Sequence, residues 1–288
     1  MSEFFQAVAE YEFLRIALAA GVLASLACGV VGSYVVTRRI SYIAAAVSHC
    51  VLGGMGAARY VQVVYGWEAI TPLVGAVVSA LAAALIIGWI TLRARQREDA
   101  LIGAVWAVGM AVGVLFVWKT PGYNRDLMGY LFGNILLVSR SDLWMIAVLD
   151  VIVVGMALLF YNRLLAVCFD EEFARLRGVR VEFYFLLLLC LTALTVVLLV
   201  KVVGIILVIA LLALPAATVS PFARSLMRMM ILSTVLCVFL TTAGLAISYG
   251  PDLPTGATTI VLAAAVYLIA IIASHFLSRR GPRRPRIA

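Results

Sequence analysis

CFDEEFARLRGVRVEF, residues 168–183, is the longest hydrophilic stretch inside an otherwise apolar chain, and its grammar is that of a helix. Asp170 stands at the N-cap, Glu171 and Glu172 fill the first turn, Arg175 and Arg177 fall in the last, and Gly178 marks the stop. Charges therefore complement the helix dipole at both ends, and a glycine sits where a left-handed residue is wanted. Phe173, Leu176 and Val179 recur at helical spacing as one apolar stripe. A short helix of this kind lies on lipid, docks on a partner protein, or is an ordinary capped loop helix. Acidic residues at one end make anionic lipid the poorer match and favour the partner.

On either side of this segment the chain is 65% hydrophobic and only 12% charged, with a mean hydropathy of +1.13. Soluble domains are about half apolar and about a quarter charged. The apolar residues come in long blocks, so the fold class is an all-α polytopic membrane protein. No hydrophilic stretch is long enough for a second domain. Residues 1–278 read as one transmembrane domain and 279–288 as a basic tail. The beginning of the sequence has neither a basic region nor a small-residue cleavage site, so no cleaved signal peptide is expected. The five cysteines, Cys28, Cys50, Cys168, Cys190 and Cys237, have no C-x-x-C spacing, which argues against disulfides and a structural zinc site.

A crossing takes about 20 apolar residues at a helical rise of about 1.5 Å each. Nine spans are predicted, near 13–36, 42–62, 71–92, 100–118, 142–162, 181–200, 202–220, 229–249 and 257–277. Threading them through a bilayer puts Arg38, Arg39, Arg93, Arg95, Arg97, Arg163, Arg175, Arg177, Arg180, Arg224, Arg228 and the tail arginines on one side. The opposite loops hold only Lys119, Arg125, Arg140 and Lys201. The arginine-rich side is therefore cytoplasmic, the N-terminus outside and the C-terminus inside. The net charge of +8 is thereby an orientation signal and not a sign of a nucleic-acid partner, although the tail suits contact with anionic membrane lipid. The weakest break, at Lys201, separates nine spans from eight.

DLMGYLFGNILLV, residues 126–138, is apolar but too short to cross, and reads as a re-entrant helix on the outer side. Gly109 and Gly113 form a GxxxG pair, and Gly103, Ala107 and Ala111 extend a small-residue face suited to close helix packing.

Four stretches, in order, carry a resemblance: SHCVLGGMG from Ser48, YLFGNILLVSRSDL from Tyr130, the 168–183 segment, and VVGIILVIALLALPAATVSPFA at 202–223. Together they resemble permeases of ABC importers of the metal-ion family, which moves zinc, manganese or iron. Cys50 and Gly53 depart from that family's usual alanine and proline. The resemblance implies a vitamin-B12-importer-like (type II) permease fold in a bacterial cytoplasmic (inner) membrane. It implies two permease copies, as a homodimer, around a path. A separate cytoplasmic ATPase docks on a coupling helix at about 170–178, through Asp170, Glu171, Glu172, Phe173, Leu176 and Gly178. An extracytoplasmic metal-binding protein delivers the ion. No G-x-x-x-x-G-K-[ST] loop occurs in the sequence, so ATP acts through the partner and the chain itself is not expected to be an enzyme.

Polar residues at membrane depth then become candidates for the path. His49 is either a transient ligand for zinc or manganese or a packing residue bonded to a carbonyl. Asp126 either attracts divalent cations at the outer mouth or caps the short helix. Asp150 lies mid-span, must be paired, protonated or facing water, and has His49 as a conceivable partner. Pro215 breaks a helical hydrogen bond, which makes a gate or a tolerated bend, with Thr218 and Ser220 available to the freed carbonyls. Lys201, Arg15 and Arg59 are expected to snorkel. So sparse a set suits brief coordination during passage, with no stably bound cofactor. Competing readings are an ABC permease for a siderophore or cobalamin, an ion-coupled secondary transporter, and an intramembrane enzyme. The lack of repeated halves and of an H-E-x-x-H motif weighs against the last two.

Overall fold

A computed structural model describes residues 2–93, 98–121, 135, 138–251 and 253–280. Among them the chain is helical throughout, without a strand. A short α1 (Ser2–Glu10) leads into α2 (Glu12–Arg38), followed by α3 (Ser41–Tyr65), α4 (Pro72–Arg93) and α5 (Glu98–Lys119). After the outer segment come α6 (Arg140–Leu159), α7 (Tyr161–Phe169), α8 (Glu171–Leu176) and α9 (Val181–Val203). The chain closes with α10 (Ile205–Val219), α11 (Leu226–Tyr249) and α12 (Thr255–Arg280). Helices satisfy every backbone group within one segment, which is what a lipid environment demands.

Eight of these, α2 to α6, α9, α11 and α12, are long and apolar enough to cross a membrane. The expected seventh span, 202–220, instead falls on α10, whose 15 residues reach roughly 22 Å. The break before it also differs from expectation. Helix α9 runs through Lys201 to Val203, and the chain turns at Gly204 with φ 88°. Only glycine adopts that conformation without strain, so the backbone sets the break where the charge suggested another place. Two short helices, α1 and α7, were not anticipated. Helix α7 buries Leu164, Val167 and Cys168 on one face, an amphipathic turn too brief to stand out in hydropathy.

Helices α2, α3 and α9 are the most buried of the spans. Helix α2 packs on α11, α6, α10 and α9, while α3 sits between α4 and α5. The seams are made by glycine. A Cβ at Gly53 would lie 2.8 Å from the carbonyl of Gly109, and one at Gly113 would lie 2.8 Å from the amide of Gly53. On the other flank of α3, Gly54 meets the Gly75 carbonyl of α4. The GxxxG pair thus packs as its spacing suggests. The face of Gly103, Ala107 and Ala111 does not. It is exposed, and Gly103 has open space beside it.

Candidate functional site

Helix α8 is built as its sequence dictates. Asp170 adopts an extended N-cap conformation and its Oδ1 accepts from the Phe173 amide at 2.9 Å. At the other end Gly178 takes φ 75°, the Gly178 amide donates to the Arg175 carbonyl at 2.9 Å, and the Val179 amide to Ala174 at 3.0 Å. That paired closure is the Schellman motif, which consumes the carbonyls a helix end would otherwise leave bare. Ala174 is buried against the body, so the opposite face points out, and Phe173 is 50% and Leu176 87% exposed. Two large apolar side chains on so short a polar helix form a patch awaiting cover. Phe173 borders a cleft of about 640 Å³ that reaches Phe169, Val179 and Leu226.

The acidic turn is not uniformly free for a partner. Glu171 forms an ion pair with Arg38 at the end of α2, and Arg38 lies over the Phe185 ring at 5.5 Å. Glu172 alone of the pair is exposed. Nearby, burial pushes the Cys168 thiol up to about 12, with Arg38 pulling the other way, so this face holds a packing thiol and not a nucleophile.

The membrane-depth candidates fall apart in space. His49 stacks on Trp106 of α5, ring centroids 4.8 Å apart, and its Nδ1 is buried without a hydrogen-bond partner. The packing reading has either ring nitrogen bonded to a carbonyl, and Nδ1 meets none. Beside it Cys50 donates from Sγ to the Val105 carbonyl at 3.4 Å. Asp150 is 4% exposed, and its Oδ1 accepts from the Ala27 amide of α2 at 3.0 Å. Its partner is therefore backbone, and His49 is not brought to it. Asp126 lies outside the described residues. No group of three His, Cys, Asp or Glu side chains among the described residues converges as a metal site.

Pro215 lies inside α10, as expected, but the carbonyl it frees is met from elsewhere. Proline removes the donor to the carbonyl four residues back, Leu211. The Cys28 thiol of α2 donates to that oxygen at 3.4 Å. Thr218 bonds the Leu214 carbonyl, which the proline does not free. Gly32 lets α2 come this close, since a Cβ there would sit 2.2 Å from the Leu212 carbonyl.

Comparison with known proteins agrees with this architecture. The model of the ABC 3 transport family matches residues 10–274. The chain is 39% identical to a probable metal transport system membrane protein of Chlamydia pneumoniae, over 83% of this chain and 81% of that one. It is 32% identical to the manganese transport system membrane protein MntC of Halalkalibacterium halodurans, over 94% of this chain and 90% of that one. The solved structure of PsaBC from Streptococcus pneumoniae in complex with Fab matches with a TM-score of 0.85 at 30% identity, covering 97% of this chain and 99% of that chain.

Proposed function

Because the chain belongs to the ABC 3 transport family, we propose that it is the membrane subunit of an ATP-driven importer that carries a divalent metal ion into the cytoplasm. Manganese or zinc is the cargo, with iron as the third candidate. The name of the manganese relative, matched over 94% of this chain, supports the metal class. The engine is a separate ATPase seated on α8, a binding protein delivers the ion from outside, and a second copy of the chain completes the path. The observation that carries the coupling reading is the exposed Phe173–Leu176 pair on a doubly capped helix pinned to α2 by Arg38–Glu171.

His49 is proposed as a transient ligand, supported by a buried Nδ1 that has no hydrogen-bond partner. Asp126 is proposed as the cation-attracting carboxylate of the outer mouth. Asp150 is better suited to hold α6 against α2, since a backbone amide already occupies it. Pro215 is proposed as a fixed bend clamped by Cys28 in the state described.

The test is radiometal uptake by the permease, ATPase and binding protein reconstituted together, with manganese, zinc and iron in competition. Phe173→Ala with Leu176→Ala is expected to release the ATPase and abolish uptake, and His49→Ala to lower flux about tenfold or more with assembly intact, the loss a transient ligand worth about 1.4 kcal/mol would give. Coupled uptake at the wild-type rate in the α8 variant removes the docking surface from the account.

A further inference from the structure

Past the end of α8, beside the cleft that Phe173 borders, the chain turns through Gly178 and enters α9. The turn encloses a cleft of about 330 Å³ lined by Arg163, Arg177, Gly178, Val179, Arg180, Phe183 and Tyr184. Three guanidinium groups border it and no carboxylate does. Glu182, the nearest acid in sequence, lines the adjoining cleft, which shares Val179, Arg180 and Phe183 with this one. Arg163 donates to the Tyr184 hydroxyl and lies over that ring, and Arg177 lies over Phe173 at 4.9 Å. Both are thereby held in place without being neutralised. Arg180 has no acidic partner among the described residues. The left-handed Gly178, at φ 75°, lets the chain fold Arg177 and Arg180 around one opening.

Arginine clusters of this kind recognise phosphate, because the planar guanidinium matches two oxygens at once. The depth of the cleft selects the source. Phe183 and Tyr184 stand in the first turn of the span Val181–Val200, the level at which a crossing helix leaves the headgroups. Phe183 is 54% exposed and gives the cleft an apolar wall facing the membrane. We propose that this cleft is a binding site for the phosphate headgroup of an anionic phospholipid of the arginine-rich side, its acyl chains running past Phe183. The cleft adjoins the docking patch, with Arg177 over Phe173, so Arg180→Gln, which lies outside the Phe173 cleft, is the variant whose lipid retention is read apart from the coupling.

The experiment titrates the full-length permease in detergent with phosphatidylglycerol or phosphatidylcholine and counts retained lipid by native mass spectrometry. Wild-type protein is expected to retain phosphatidylglycerol in preference. Arg177→Gln and Arg180→Gln should each weaken that retention about fivefold. Arg180→Lys, which keeps the charge but not the two-pronged fit, should fall between the wild type and Arg180→Gln, and Arg93→Gln at the end of α4 should change nothing. Equal retention by the wild type and the double glutamine variant overturns the proposal. Loss of retention when the ATPase is added also overturns it, and gives the cleft to the protein interface. Displacement by an equal concentration of inorganic phosphate supports the anion site and overturns its lipid source.

Discussion

Leu211 loses its intrahelical donor to Pro215, and in lipid such a carbonyl has no water to turn to. The Cys28 thiol meets it from α2 at 3.4 Å. A thiol is a weak donor, yet an unpaired buried acceptor costs about 1–3 kcal/mol. Cys28→Ala is expected to lower stability in detergent by about 1 kcal/mol, while Cys28→Ser keeps the bond. Pro215→Ala restores the helical donor, so Cys28→Ala should cost less in that background. The coupling term of the double-mutant cycle isolates the bond from the packing of Cys28 against its other neighbours. Additive effects would mean that Cys28 only fills space. The sequence exposes the proline and the carbonyl it frees, but not the donor. Thr218 and Ser220 were nearer along the chain, whereas Cys28 arrives only because α2 crosses α10 at Gly32. His49 shows the same limit: its residue type was legible, and its stacking on Trp106 was not.

Elements reveal how far small residues alone determine packing. Gly109 and Gly113 share a spacing with Gly103, Ala107 and Ala111, yet only the first pair meets another backbone. A methyl group at Gly113 would stand 2.8 Å from both the Gly53 amide and the Leu52 carbonyl carbon. Gly113→Ala must therefore push α5 from α3, at a cost of about 1–3 kcal/mol. Gly103→Ala meets open space and should be neutral or stabilising by up to about 1 kcal/mol through helix propensity. Thermal unfolding of the two variants in the same detergent separates them, and similar midpoints would remove the seam from the account. Composition announces that glycine faces exist, and the partner helix decides which face is used. The α8 caps were legible for the opposite reason: Asp170 and Gly178 act within a few residues of themselves, so no distant contact had to be known. Glu171 read only as a first-turn acid offered to a partner, because Arg38, which pairs with it, is remote in sequence.

At the scale of the whole molecule, helix directions follow from who touches whom. Glu12, Ala27 and Tyr34 of α2 pair in that order with Arg140, Asp150 and Ala157 of α6, so these two helices run parallel. Ser25 and Thr37 pair with Thr241 and Met229, so α11 runs opposite to α2. The Arg38 end thus gathers α8, the start of α9 at Phe185 and the start of α11. Helix α9, 23 residues long, carries the chain roughly 35 Å from that end. Residues 205–225 must bring it back before α11 begins. Helix α10 supplies roughly 22 Å, and the six residues after Val219 span up to about 20 Å if extended. A short helix with an irregular tail therefore makes the return, which is why a search for 20-residue apolar blocks places its boundary poorly. If α10 crosses as well, as the nine-span reading expects, the beginning and end of this sequence lie on opposite faces, and the arginine count assigns the tail to the cytoplasm. Cysteines placed at Glu68 and Leu253 should react with an impermeant maleimide added outside intact cells, and one at Arg224 only after permeabilisation. A fluorescent protein fused after Ala288 should fold in the cytoplasm. Leu253→Cys protected in intact cells, together with a tail reporter active outside, would place α10 in a loop. The Arg38 end would then no longer collect both α8 and the basic loops on one face.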